Sequence, residues 1–292
     1  MLNQLKKPTR RTILQTGGAL LAGGVAAQLG TRALRAGGQG PSGSPKVLAL
    51  IGDRYHNFDY IQVCLNKLFH DLAMPVDYIT YERLQPAMLR SYQLFLCLRD
   101  GMIWPDGYLG PDAYVAYERY LEPDSDNDRR MGSRETSKFW MSEEQGQAIA
   151  DFVAAGNAFY AMHNCSHISL TSKNYRNVMG GAYIGHPPQR PFKVLVTNKE
   201  HPITQGVNDF IVNDEQHYVD YDKDPNNIFL RSENIDELPY GEHGTKAIAG
   251  WAHEFGKGRV VFTAVGHNIP ALWHPEYVKL QKNAIRWLLR QS

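Results

Sequence analysis

Four histidines stand where a chain changes direction. His163 directly follows the apolar run Ala158–Met162, and His267 follows Val260–Val265 across one glycine. His56 lies a few residues beyond Lys46–Ile51, and His186 closes the glycine-rich stretch Gly180-Gly181-Ala182-Tyr183-Ile184-Gly185. A neutral imidazole can ligate a metal or move a proton near pH 7. Three imidazoles, or two with a carboxylate, make a metal site that keeps a position open for water. His56, His163 and His267 are therefore the expected ligands of a divalent metal, zinc or a similar ion. The segment Asp214-Glu215-Gln216-His217-Tyr218 adds carboxylates. Glu215 or Asp214, with His186, is suited to general acid or base work on a hydroxyl or glycosidic oxygen. No HExxH motif is present, so only the fold can bring these groups together. Each histidine taken singly also reads as an ordinary core or surface residue.

Cys165 invites a nucleophile reading, because it follows the same run. Ala161-Met162-His163-Asn164-Cys165 lacks the flanking glycines of a nucleophile elbow, however, and His163 occupies the elbow position. Amidotransferase chemistry through Cys165 is rejected on that ground.

The elements that must position these groups can be read from the patterning. Lys46–Ile51, Gln93–Leu98 and Ala158–Met162 are short apolar runs of the kind that form buried parallel strands, and Pro75–Tyr81 alternates like a strand. Residues 57–73 carry an apolar stripe at Ile61, Leu65, Leu68, Phe69 and Leu72, which predicts a helix. Ser142 with Gln145 forms a capping box ahead of a helix that ends at Gly156. Phe192–Val196, Phe210–Val212 and Ile228–Leu230 read as strands, and Ala247–Trp251 with Arg259–Val265 as a hairpin. A final helix runs from Pro275 to Gln291, burying Tyr277, Leu280, Ala284, Trp287 and Leu288. The βαβ order implies an α/β fold: a doubly wound, mostly parallel, flavodoxin-like sheet with an added antiparallel hairpin. In such sheets ligands bind beyond the carboxyl ends of the strands. That rule gathers Asp53, His56, Asp100, His163, Asn164 and His267 on one rim.

Residues 101–141 interrupt the rhythm. They are rich in Asp, Gly, Pro and aromatics, among them Trp104, Tyr108, Tyr114, Tyr117, Tyr120, Phe139 and Trp140, as expected of a lid or binding insertion. Aromatic faces there could stack on a sugar ring.

The first 45 residues form a separate region. Thr9-Arg10-Arg11-Thr12-Ile13-Leu14 fits a twin-arginine export signal, followed by an apolar stretch to Gly30 that glycines and glutamines dilute. Cleavage is expected after Ala27 or Ala36, and Gly37–Pro45 reads as a linker. One domain, 46–292, would remain, periplasmic and without a membrane span. The chain has 31 Lys and Arg against 30 Asp and Glu. Six of the basic residues and none of the acidic ones precede residue 46, so the remainder carries a net charge of −5. An acidic remainder disfavours nucleic acid as a partner. Cys64, Cys97 and Cys165 are odd in number and far apart, which excludes a disulfide framework or a zinc finger.

Several blocks together resemble the ThuA-like, trehalose-utilisation family. They are Trp140–Phe152, Gly156–Asn164, Gly180–Pro187, His201–Gly206, Asp214-Glu215 with Tyr218, Gly256–Val260 and Gly266-His267, in the family's order. The resemblance runs from about residue 46 to the C-terminus and is weakest over 101–141. It implies a fold similar to the class I glutamine amidotransferases without the cysteine nucleophile. It also implies a role in the use of trehalose and related disaccharides, including 3-oxo-sugars, with a metal in some members. A small carbohydrate is then the expected partner. The expected activity is that of a hydrolase, lyase or isomerase, the alternative being a non-catalytic carbohydrate-binding or regulatory protein. The export signal departs from the family's cytoplasmic members.

Overall fold

The computed structural model describes residues 46–103 and 138–291. The export signal, its cleavage points and linker, and the insertion aromatics Trp104, Tyr108, Tyr114, Tyr117 and Tyr120 lie outside the described residues.

In chain order, β1 (Val47–Ile51) leads through α1 (Phe58–Asp71) to β2 (Val76–Ile79) and β3 (Leu94–Leu98). A two-residue pair, β4 (Met102–Ile103) and β5 (Lys138–Phe139), brackets the insertion. Then come α2 (Glu143–Ala154), β6 (Ala158–Met162), α3 (Lys173–Met179), β7 (Gly181–Gly185), β8 (Arg190–Val196), β9 (Phe210–Asp214) and β10 (Tyr218–Tyr221). The chain ends with β11 (Ile228–Asn234), β12 (Lys246–Phe255), β13 (Gly258–Thr263), α4 (Ile269–Leu272) and α5 (Pro275–Leu288).

One sheet holds nine strands in the order β2-β1-β3-β6-β13-β12-β11-β8-β9. The first five are parallel, as the buried runs predict. Every residue of β1, β3 and β6 is buried, because helices cover both faces of a parallel sheet. The capping box at Ser142 is present in both directions, Ser142 with the Gln145 backbone and Gln145 with the Ser142 backbone. It starts α2 so that Ile149, Phe152 and Val153 face the core.

The antiparallel part is larger than one hairpin. From β13 the sheet continues through β12, β11, β8 and β9, each antiparallel to the last. Four successive reversals return β9 to the direction of the parallel strands. Its carboxyl end therefore points to the same side of the sheet as those of β6 and β13. The β12–β13 turn is tight, and Gly256 holds φ 59° there with Ala154 so close that a Cβ would lie 2.6 Å from its Cα. Only glycine fits such a turn without strain.

A second, two-stranded ribbon was not expected from the sequence. β7 and β10 pair antiparallel, with Gly185 opposite Tyr218. His186 and His217 flank that end of the ribbon, one leaving β7 and the other entering β10.

Candidate functional site

The carboxyl ends of β1, β6, β9 and β13 deliver His56, His163, Glu215 and His267 to one place. The ligating atoms of these four residues all lie within 4.8 Å of one another. His56 Nε2 is 3.1 Å from His267 Nδ1. Glu215 Oε2 stands 3.2 Å from His267 Nδ1 and 3.5 Å from His163 Nε2. On its other side the same oxygen is 3.4 Å from His217 Nε2 and 3.6 Å from His186 Nε2. One carboxylate is thus ringed by four imidazoles. The structure brings His56, His163, His186, His267 and Glu215 together, as their places in the sequence suggest. His217 joins them, though its place in the sequence marks it less clearly.

The backbone at His163 explains why this side chain reaches the rim. His163 has φ 52°, a left-handed conformation unusual for a non-glycine residue. It is the strained strand-to-turn geometry of a nucleophile elbow, here presenting an imidazole. Gly266 makes room beside it, since a Cβ there would lie 2.9 Å from His163 Cβ. Cys165, two residues on, is fully buried.

The imidazoles are oriented from behind. His56 Nδ1 lies 2.9 Å from Asp53 Oδ1, and His163 Nδ1 lies 2.7 Å from the Ala264 carbonyl oxygen. Both acceptors require a proton on Nδ1, which turns His163 Nε2 toward Glu215 and His56 Nε2 toward His267 Nδ1. Asp53 is itself fixed, accepting from the backbone N–H groups of Tyr55, His56 and Asp100 and from Asn164 Nδ2. Asp214, the last residue of β9, does different work from its neighbour Glu215. It is fully buried, and its oxygens accept the backbone N–H groups of Gly266 and His267 at 2.8 and 3.1 Å. The Tyr60 hydroxyl donates to the His267 carbonyl oxygen at 2.6 Å. These contacts set the loop that carries His267.

Burial works against charge on every one of these groups, and their partners decide the balance. Burial pushes the Asp53 carboxyl up, but His56, a backbone N–H and Arg99 outweigh it and hold it well below the usual carboxylate range. Burial pushes His56 down, but Asp53 and then Glu215 raise it above an ordinary histidine. Burial lowers His163, with the nearby His56 acting in the same direction, and the pull of Glu215 does not restore it. His217 is lowered further, by burial and then by His163. Burial raises Glu215, but its surrounding histidines hold it far below the usual range. Asp214 is raised, chiefly by burial.

This donor set fits a divalent ion. His163 Nε2 is buried with no hydrogen-bond partner, a lone pair aimed at an anionic oxygen. Lone pairs and a carboxylate oxygen crowded this closely require positive charge between them, as protons or as a metal. Burial holds His163 below the ordinary imidazole value, which disfavours the proton there. A tetrahedral ion with bonds near 2.1 Å places its ligands about 3.4 Å apart; three of the six separations here are close to that, at 3.1, 3.2 and 3.5 Å, and the rest lie within 4.8 Å. Mixed imidazole and carboxylate donors suit zinc and its neighbours.

The wall beside the carboxylate is aromatic. Tyr183 meets His167 and His217 edge-on at 5.3 Å, and Phe139 stacks on His167 at 5.5 Å. Phe139 remains 43% exposed, an available flat face at the foot of the insertion. Asp100 pairs with His167 at 3.2 Å, and the Trp140 indole N–H donates to the Asp100 carbonyl oxygen.

The sequence model of the ThuA family, described as trehalose utilisation, matches residues 133–288. Among solved structures, the chain is similar to a ThuA-like protein from Bacteroides uniformis. The identity is 15% and the TM-score 0.56, over 84% of this chain and 92% of that one. A ThuA-like protein from Parabacteroides merdae gives 14% identity and TM-score 0.56, over 85% and 91%. A β-galactosidase from Bacillus circulans sp. alkalophilus shares the fold over 85% of this chain and 31% of its own, at 10% identity and TM-score 0.50. No curated protein sequence matches.

Proposed function

The chain belongs to the ThuA family, linked to trehalose utilisation, and on that premise we propose that it is an exported, metal-assisted enzyme acting on a glycoside or an oxidised (3-oxo) sugar. The carrying observation is that the ligating atoms of His56, His163 and His267, the first two oriented from behind by Asp53 and the Ala264 carbonyl, lie within 4.8 Å of one another and of the Glu215 carboxylate.

His56, His163 and His267 would hold the ion. A divalent cation there supplies Lewis acidity toward a sugar carbonyl or a pair of hydroxyls. Glu215 serves as the base: its surroundings keep it ionised, and its oxygen lies between the three histidines and His186. His186 is partly exposed and 3.6 Å from that oxygen, so it relays the proton toward solvent. Asp214 positions the His267 loop rather than touching substrate. The Phe139 face offers a platform for a sugar ring.

Metal analysis of the full chain purified without chelator, beside His163→Ala, tests the reading. At least one tightly held ion per chain, lost in the variant, is expected. Glu215→Gln should then abolish turnover of a 3-oxo-disaccharide while the folded protein still binds metal. A metal-free protein, or activity surviving His163→Ala, would overturn it.

Export is proposed from Thr9–Leu14 alone. Replacing Arg10 and Arg11 with lysine should leave the protein in the cytoplasmic fraction of a host with a twin-arginine pathway. Unchanged export would remove this part of the reading. Among the described residues no helix is long and apolar enough to cross a membrane.

A further inference from the structure

Beyond the three-histidine site, Glu215 completes a second set of ligating atoms with His186 and His217. The two sets share only the Glu215 carboxylate. They are built from different parts of the fold: His56, His163 and His267 from the ends of parallel strands, His186 and His217 from the end of the β7–β10 ribbon. The second set shows the same preparation as the first. His186 Nδ1 lies 2.9 Å from the Pro187 carbonyl oxygen, so its proton sits there and the Nε2 lone pair faces Glu215. His217 is fixed between rings, stacked on His163 at 4.0 Å and on His186 at 5.1 Å. Its Nε2 faces the same carboxylate oxygen at 3.4 Å. The local charge suits more than one cation, because buried Asp53 and Asp214 stand directly behind the ligand loops in addition to Glu215.

We propose that the site holds two divalent ions bridged by Glu215, the first on His56, His163 and His267 and the second on His186 and His217. The inference rests on the reading of the three-histidine site as a metal site and goes beyond it in ion number and in ligands, giving Glu215 and His186 ligand roles in place of the base and relay roles they have in the one-ion site. Paired ions about 3.5–4 Å apart act as a clamp on two oxygens at once. The substrate class such a pair favours is a sugar presenting adjacent oxygens, a 1,2-diol or an α-hydroxyketone edge. The open, aromatic-walled side of the site lies at the second set, next to Tyr183.

Metal binding to the full chain, stripped by chelator and titrated with cobalt(II), decides between one and two ions. The readouts are the visible absorption of the bound ion and the ion content after desalting. Two equivalents per chain are expected, with magnetic coupling between paired ions in a manganese(II)-loaded sample. His186→Ala should keep the first equivalent and weaken the second by more than tenfold, since loss of even an outer-shell partner costs roughly 10–100-fold in metal affinity. His186 is partly exposed, and circular dichroism checks that the variant folds. A single equivalent at saturation would overturn the ion pair and leave the three-histidine reading standing. No bound ion would defeat both. Two equivalents undiminished by His186→Ala would overturn the assignment of the second site to the ribbon.

Discussion

Replacing Asp53 with Asn separates the shape of the site from its electrostatics. The carboxylate accepts from backbone groups on two loops and from Asn164, and faces His56 Nδ1 through both oxygens at 2.9 and 3.1 Å. An amide has the same outline but offers one acceptor, so the His56 ring loses the anchor that fixes its tautomer. Loss of such an outer-shell partner costs roughly 10–100-fold in metal affinity. Asp53→Asn should therefore stay folded and bind metal more weakly by that factor, measured by competition with a chromophoric chelator; unchanged affinity would remove Asp53 from the orienting shell. At this scale the sequence is informative where a side chain directly follows a strand. His163 and Glu215 meet that condition, while His267 and His56 lie a few residues beyond the ends of β13 and β1. His217 does not, because its place depends on a ribbon whose pairing cannot be inferred from adjacent residues. Asp214 and Glu215 look alike as a pair of acids. Only the structure separates them, turning one onto the Gly266 and His267 amides and the other onto the imidazoles.

At the scale of elements, the parallel strands were legible because full burial writes them as unbroken apolar runs. β7 was not, since Gly181-Ala182-Tyr183-Ile184-Gly185 has too few large side chains to show a period, and its partner β10 lies far along the chain. A second feature at this scale lies on β12. His253 is buried, its Nε2 donating to the Val178 carbonyl oxygen at 3.0 Å near the end of α3. Burial, only partly offset by that bond, pushes this imidazole from 6.5 down to about 4. The folded state therefore holds His253 neutral where the unfolded chain takes up a proton. The stability this contributes is full above pH 6.5 and drains away as the pH falls toward 4, by up to roughly 3 kcal/mol. His253→Gln keeps a donor to Val178 but cannot titrate in this range. Urea unfolding of the metal-free protein between pH 7 and pH 4 should show a shallower loss for the variant than for the parent chain. Parallel slopes would mean that His253 does not hold its neutral state in the fold.

At the scale of the whole molecule, the site joins two halves of the sheet that pair through intervening strands. β9 stands at one edge, separated from β13 by β12, β11 and β8. Its end nevertheless meets the end of β13, through Asp214 on Gly266 and Glu215 on His267. The loop after β13 makes those contacts, and they crowd a carboxylate against imidazoles in a grouping that a cation among them would stabilise. An ion held by His56, His163 and His267 against Glu215 would then act as a clasp between the end of β9 and the loop after β13, binding the folded state alone. An ion present at a hundred times its dissociation constant contributes about 2.7 kcal/mol. For a chain of this size that corresponds to a fall in Tm of roughly 5–10 °C on chelation. Scanning calorimetry with and without chelator should show that fall, restored by added zinc and absent from His163→Ala, whose Tm should not respond to either. A parent chain whose Tm ignores the chelator would show that Asp214 and the core packing alone hold the end of β9 to the loop after β13.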